Sequence, residues 1–175
     1  MMTSRVGLGG DRGVAAMLLM ASIVALAIAW WAEHVAGMVP CALCLVERWP
    51  WRVIGLTALL VLVLPWRRGG KVLLALIALT LLVSCALAVL HGGVEWGWWS
   101  SPLPECQAPR LTGATMAERL ASMPVRPAKP CDAPAYLVSW LPVSMSVLGG
   151  LYAAALLLAM FTVAVRARGH ARTGT

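Results

Sequence analysis

The sequence predicts an all-α membrane protein: a bundle of four transmembrane helices with a long outward loop between the third and the fourth. Three observations carry that expectation. The first is composition, with 61% of the 175 residues hydrophobic and only 12% charged. An average soluble domain is about 45–50% apolar and about 25% charged, and a single soluble core of this length cannot hide the surplus. The second is that long apolar runs recur at four places along the chain. The third is where the charge of +7 lies. Arg5, Arg12, Arg67, Arg68, Lys71, Arg166, Arg168 and Arg172 flank the runs on one side of an alternating topology, with Asp11 as the single acid there. The segments on the other side balance, with Arg48, Arg52, Arg110, Arg119, Arg126 and Lys129 against six acids. Basic residues gathered at the cytoplasmic ends of spans are a topology signal. Nucleic acid as a partner would call for basic residues interleaved with aromatics on one surface, and that pattern is missing.

A span needs roughly 20 mostly apolar residues to cross a hydrocarbon core about 30 Å thick. Residues 14–32 form the first. A cleavable signal peptide is its rival, because Ala27-Ile28-Ala29 resembles a cleavage site, but the run is longer than the usual apolar region and two tryptophans follow it. The second covers 45–66, with Arg48 and Arg52 snorkelling from its first turns. The third covers 72–90 and the fourth 143–165, all within a single integral domain spanning 1–175. No segment shows the alternation of a barrel strand, so helices are the expected solution to backbone pairing in lipid. Both termini fall in the cytoplasm, and loops 33–44 and 91–142 face outward.

The second loop is rich in proline, at 102, 104, 109, 124, 127, 130 and 134, which favours an extended, kinked path. One short helix is expected within it. Thr115 and Glu118 fit a capping box, and Met116, Leu120 and Met123 share a face, suiting either a membrane-surface helix or an ordinary loop helix. Trp96, Trp98 and Trp99 fit an aromatic belt at the headgroups. The tail 166–175 is expected to be disordered.

Of the five cysteines, Cys41, Cys44, Cys106 and Cys131 lie outward and Cys85 lies within the third span. An oxidising compartment permits two bridges in any of three pairings. Cys41-Ala42-Leu43-Cys44 opens a helix, whose first backbone N–H groups favour a thiolate. Arg48 lies at i+4 from Cys44, placed to steady a thiolate there or the oxygen of a quinone, or else to anchor at the interface. A Cys-x-x-Cys bridge is a tight ring, redox-labile and a poor staple. A zinc site sharing Cys106 and Cys131 is the competing pattern, but zinc sites draw on compact ligand pairs, and a long proline-bearing segment separates these two. Cys85 reads as a small buried hydrophobe. His91, ending the third span, reads as an interfacial histidine or as a quinone contact.

Pro40-Cys41-Ala42-Leu43-Cys44 followed by Glu47-Arg48 resembles the signature of the DsbB family, the bacterial disulfide-bond formation oxidases. His91-Gly92-Gly93-Val94-Glu95-Trp96-Gly97 is similar to the end of that family's third span, and Cys106 with Pro130-Cys131 to its second cysteine pair. The resemblance covers roughly residues 14–165 and implies a quinone-dependent thiol oxidase of the bacterial inner membrane. Under it, Cys106 and Cys131 form a mobile-loop disulfide that a reduced periplasmic partner of the DsbA type attacks at Cys106. Electrons then pass to Cys41 and Cys44, and from Cys44 to ubiquinone or menaquinone from the membrane pool, with Arg48 and His91 at the quinone site. It implies no metal, and no glycine fingerprint supports a flavin. Vitamin K epoxide reductase-like proteins also join a four-helix bundle to two cysteine pairs, but their quinone-facing pair lies late in the chain. Two rivals remain: a specialised relative with a dedicated partner, and a non-enzymatic scaffold with structural bridges.

Overall fold

The computed structural model describes residues 10–64, 69–106, 113–122, 129–138 and 140–173, and among these there is no strand, only an isolated antiparallel bridge between Tyr136 and Ser144. Four long helices, α1 (Asp11–His34), α2 (Ala42–Val63), α3 (Gly69–Glu95) and α5 (Met145–Thr173), enclose the core, and a short α4 (Met116–Ala121) lies in the long connection. Arg5, Trp66, Arg67, Arg68, Arg110, Arg126 and Met123, on which parts of the sequence argument rest, fall outside the described residues, as do Pro109, Pro124 and Pro127.

Among the described residues, three helices are long and apolar enough to cross a membrane: α1, α3 and α5 over Met145–Arg166, with mean hydropathies of 2.3, 2.9 and 2.1. The first half of α2 carries Glu47, Arg48 and Arg52, which keep it out of that set. It also starts earlier than the apolar run suggests, at Ala42, and continues through Pro50 although that residue brings no N–H to the ladder. The expected irregular tail is a correction. α5 runs on to Thr173, because helix propagation past a formed helix is cheap and Ala and Arg are strong helix formers.

Packing follows α1 on α2, α2 on α3 and α3 on α5, with α1 and α5 touching only lightly. Leu18, Ile54, Ile77 and Leu81 are fully buried where these faces meet, flanked by Val14, Ala58, Ala153 and Leu156. The outward faces are apolar as well. Leu56, Leu79, Leu151, Leu158 and Phe161 are each more than half exposed, as suits helices that face lipid.

Small residues allow a close helix approach. A Cβ at Gly150 would stand 2.5 Å from the Cβ of Ala88, so glycine lets α5 lie against α3. At the end of α1, Gly37 takes φ +67° and reverses the chain toward α2, a conformation glycine adopts without steric cost. In the outward connection the anticipated capping box is complete: Thr115 Oγ1 accepts from the Glu118 N–H, and the Glu118 carboxylate accepts from the Thr115 N–H.

Candidate redox site

Cys41 caps α2. Its backbone is extended (φ −78°, ψ 169°) and its sulfur accepts a 3.2 Å hydrogen bond from the Cys44 N–H, one of the donors a helix start leaves unpaired. The next turn brings the Cys44 sulfur to 2.6 Å from that of Cys41, about half an ångström beyond the ~2.05 Å of a disulfide bond. Closing or opening that bond therefore needs only a small side-chain movement. The hydrogen bond from the Cys44 thiol, opposed by burial and helped by the Cys44 N–H, holds the Cys41 thiol below its ordinary range. The single negative charge of a half-deprotonated pair belongs on Cys41, with the proton on Cys44.

Behind the pair stands His91, only 2% exposed. Its Nε2 lies 3.5 Å from the Cys41 sulfur and its Nδ1 lies 3.1 Å from Oε1 of Glu47. A carboxylate accepts only, so Nδ1 carries hydrogen and donates to Glu47, which turns Nε2 toward the sulfur. Glu95, one turn on along α3, places Oε1 3.7 Å from the same Nε2. Its other oxygen is buried with no hydrogen-bond partner among the described residues.

On its other side Cys44 borders a half-open cavity of ≈ 400 Å³ lined by α1, α2, the segment before α5 and α5 itself. The lining is mainly apolar, with Val24, Ile28, Trp51, Leu148 and Tyr152 among it, and its charged members are Glu33, Glu47 and Arg48. Arg48 Nη1 donates to Glu33 Oε2 at 2.6 Å, so a carboxylate from α1 holds the guanidinium on the cavity wall.

Cys106 and Cys131 are bonded to each other, Cα to Cα 4.9 Å, and Cys131 N–H donates to the Cys106 carbonyl at 3.2 Å. The bridge is buried against Cys41, Leu43 and Val94, with Cys44, Leu90 and Leu103 at the margin. Both cysteine pairs thus share one apolar cluster. The bond also means that Cys106 and Cys131 have no free thiols to complete a zinc site around the Cys-x-x-Cys pair.

The structure gathers Cys41, Cys44, Cys106, Cys131 and His91, and places Arg48 beside Cys44 on the cavity wall. His91 is not among the cavity's lining residues; it faces the Cys41 sulfur instead. Cys85 packs against α5, its sulfur 3.9 Å from the Gly150 carbonyl. Three carboxylates at the site carry no role in the sequence reading, although pairing with a base or facing water are both open to Glu47 there. Glu95 was legible at i+4 from His91 on one helix, and Glu47 at i+3 from Cys44. Glu33 had no such signal, since its partner lies across a helix pair.

The profile of the family described as "Disulfide bond formation protein DsbB" matches residues 11–163. An uncharacterized protein of Rickettsia prowazekii (strain Madrid E), RP370, is 40% identical over 84 residues. That alignment covers 46% of this chain and 46% of the relative, so the match spans about half the length of each. No solved structure matches the chain.

Proposed function

The chain belongs to the DsbB family of disulfide bond formation proteins, and from that premise we propose that it is a quinone-dependent thiol oxidase serving a periplasmic thioredoxin-fold partner of the DsbA type. The observation that carries the proposal is the shared cluster. A buried disulfide and a Cys-x-x-Cys pair lie together, and the second member of that pair also borders an apolar cavity. The arrangement supports a four-span bundle in the bacterial inner membrane, with α2 as the fourth span, both termini cytoplasmic and the cysteines on the periplasmic side.

Thiol–disulfide exchange passes an electron pair at each step without loss. A partner thiolate attacks the Cys106 sulfur and Cys131 leaves as thiolate. The partner's second thiolate then releases Cys106, so the partner is oxidised and the loop pair reduced. Next, the loop thiols reduce a Cys41–Cys44 disulfide by the same two displacements. The reduced Cys41–Cys44 pair finally closes its disulfide again, surrendering two electrons through Cys44 and one proton from each thiol. His91, held by Glu47, is placed to take the Cys41 proton, and Arg48 presents a fixed cation beside Cys44.

The cavity fits a quinone ring. Its volume lies within the about 300–1,000 Å³ of ordinary small-molecule sites, and its walls are apolar with a few placed polar groups. When bound, a ubiquinone or menaquinone supplies the oxidising equivalents, and the protein supplies position and charge.

The test is turnover of purified protein with a reduced DsbA-type partner and a soluble ubiquinone or menaquinone analogue. One quinone should be reduced for each partner disulfide formed, with two partner thiols lost per quinone, and the turnover should disappear in Cys44→Ser. Folded protein that turns over neither quinone would favour a dedicated partner or a structural role.

A further inference from the structure

The group around Cys41 is built like a metal site as well as a thiol switch. The two sulfurs and a ring nitrogen of His91 all lie within 4.8 Å of one another. In a tetrahedral zinc site, bond lengths of about 2.0–2.3 Å put neighbouring ligand atoms roughly 3.3–3.8 Å apart. The Cys41 sulfur and His91 Nε2 are 3.5 Å apart, and Glu95 Oε1 stands 3.7 Å from the same nitrogen. The sulfur pair, at 2.6 Å, has to open by about 1 Å, and the Cys44 sulfur has to settle near the ring nitrogen from which it stands no more than 4.8 Å.

The outer shell is present too. A metal-bound histidine almost always donates its other N–H to a carboxylate or carbonyl, which fixes the ring and makes it more basic. Glu47 fills that place on His91 Nδ1. Glu95, with its side chain 4% exposed and one oxygen unpartnered among the described residues, offers a buried negative charge beside the ring. The proton relay from Cys41 uses Glu47 and His91 but leaves Glu95 without a role.

We propose that the reduced thiol pair binds a thiophilic divalent cation of the zinc class through Cys41 Sγ, Cys44 Sγ and His91 Nε2, with the Glu95 carboxylate or a water as fourth ligand. Binding forms two metal–sulfur bonds and releases the two thiol protons, with no change in oxidation state. It ties up both sulfurs, so the pair can neither close its disulfide nor deliver electrons. The ion therefore acts as a brake that engages only after reduction. This consequence rests on the oxidase reading given above; the site itself does not.

The experiment uses full-length chain carrying Cys106→Ser and Cys131→Ser, reduced with a phosphine, and titrated with Co²⁺ alone. One ion per chain should give sulfur-to-cobalt charge transfer with the visible bands of tetrahedral cobalt, and Zn²⁺ should displace it. Glu47→Gln should weaken affinity about 10–100-fold, and His91→Ala should weaken it further. If His91→Ala fails to fold, Glu47→Gln and Cys44→Ser decide. Octahedral spectra, no spectrum, or affinity unmoved by Glu47→Gln would each overturn the site. Turnover of chelator-treated natural chain is measured in parallel. Turnover without cobalt bands sinks this inference alone, and bands without turnover sink the oxidase reading alone. With both present, Zn²⁺ that leaves turnover of the natural chain unaffected would overturn the brake.

Discussion

The contact between Gly150 and Ala88 offers a sharp test of how the helices that frame the site are held. A methyl group at position 150 would sit 2.5 Å from the Ala88 Cβ, whereas carbon atoms pack best at about 3.5–4.0 Å. Gly150→Ala must therefore drive α5 away from α3 locally by about 1–1.5 Å. Overpacking of that kind costs about 1–3 kcal/mol. The better helix propensity of alanine offsets up to about 1 kcal/mol, and Ala88→Gly costs about the same in α3. In the double variant the two propensity changes cancel and the strain is gone, because one methyl again occupies the gap. A double-mutant cycle isolates the strain, and the coupling should be about 1–3 kcal/mol in favour of the pair. For a chain of this size, about 2–4 °C accompanies each kcal/mol, so the non-additivity in melting midpoint should be roughly 2–12 °C. Tryptophan fluorescence of detergent-solubilised protein during heating reads it directly. Because Ser146 and Gly149 of α5 line the cavity, the quinone KM should rise in Gly150→Ala and recover in the double variant. Additive melting shifts from the two single variants would refute the close approach as the reason for glycine here.

Four further outcomes follow from the site. Alkylation of Cys41 by iodoacetamide, in reduced chelator-treated protein, should rise with pH through a midpoint below the ordinary thiol value of about 8.5, because the thiolate form gains hydrogen bonds from Cys44. Cys44→Ala removes the largest of these and should move the midpoint up, whereas Glu47→Gln removes a repelling charge and should move it down. Arg48→Lys keeps charge but loses the planar fork that Glu33 holds, so the quinone KM should rise several-fold, and steady-state turnover against quinone concentration checks it. Cys131→Ser should leave quinone reduction by a small dithiol intact. Its free Cys106 thiolate should capture a DsbA-type partner that lacks its second cysteine and is supplied as a thionitrobenzoate mixed disulfide, with thionitrobenzoate as the leaving thiolate and a non-reducing gel shift that thiol reductant removes.

Much of the architecture was legible because its causes are local. Apolar runs longer than a bilayer is thick must become helices, and Thr115 with Glu118 announces a helix start within four residues. Boundaries were less so. The cap on α2 is a cysteine sulfur rather than a hydroxyl or carboxylate, and its helix begins at Ala42, before the apolar run does. α5 continues past the hydrophobic run into a polar tail that composition assigned to disorder.

The site divides along the same line. The residue types at 41, 44, 48, 91, 106 and 131 were visible in the chain, since Cys-x-x-Cys spacing and the i+4 cation are properties of one helix turn. Tertiary structure decided what those residues meet. It brought His91 from α3 to the Cys41 sulfur, Glu33 from α1 to Arg48, and the Cys106–Cys131 bridge onto the same cluster. It also formed the half-open cavity, whose lining runs from Val24 of α1 to Tyr152 of α5. Helix periodicity says which side chains share a face of one helix. Which faces then meet depends on how small residues such as Gly150 let helices approach, and that is settled only when the whole bundle packs.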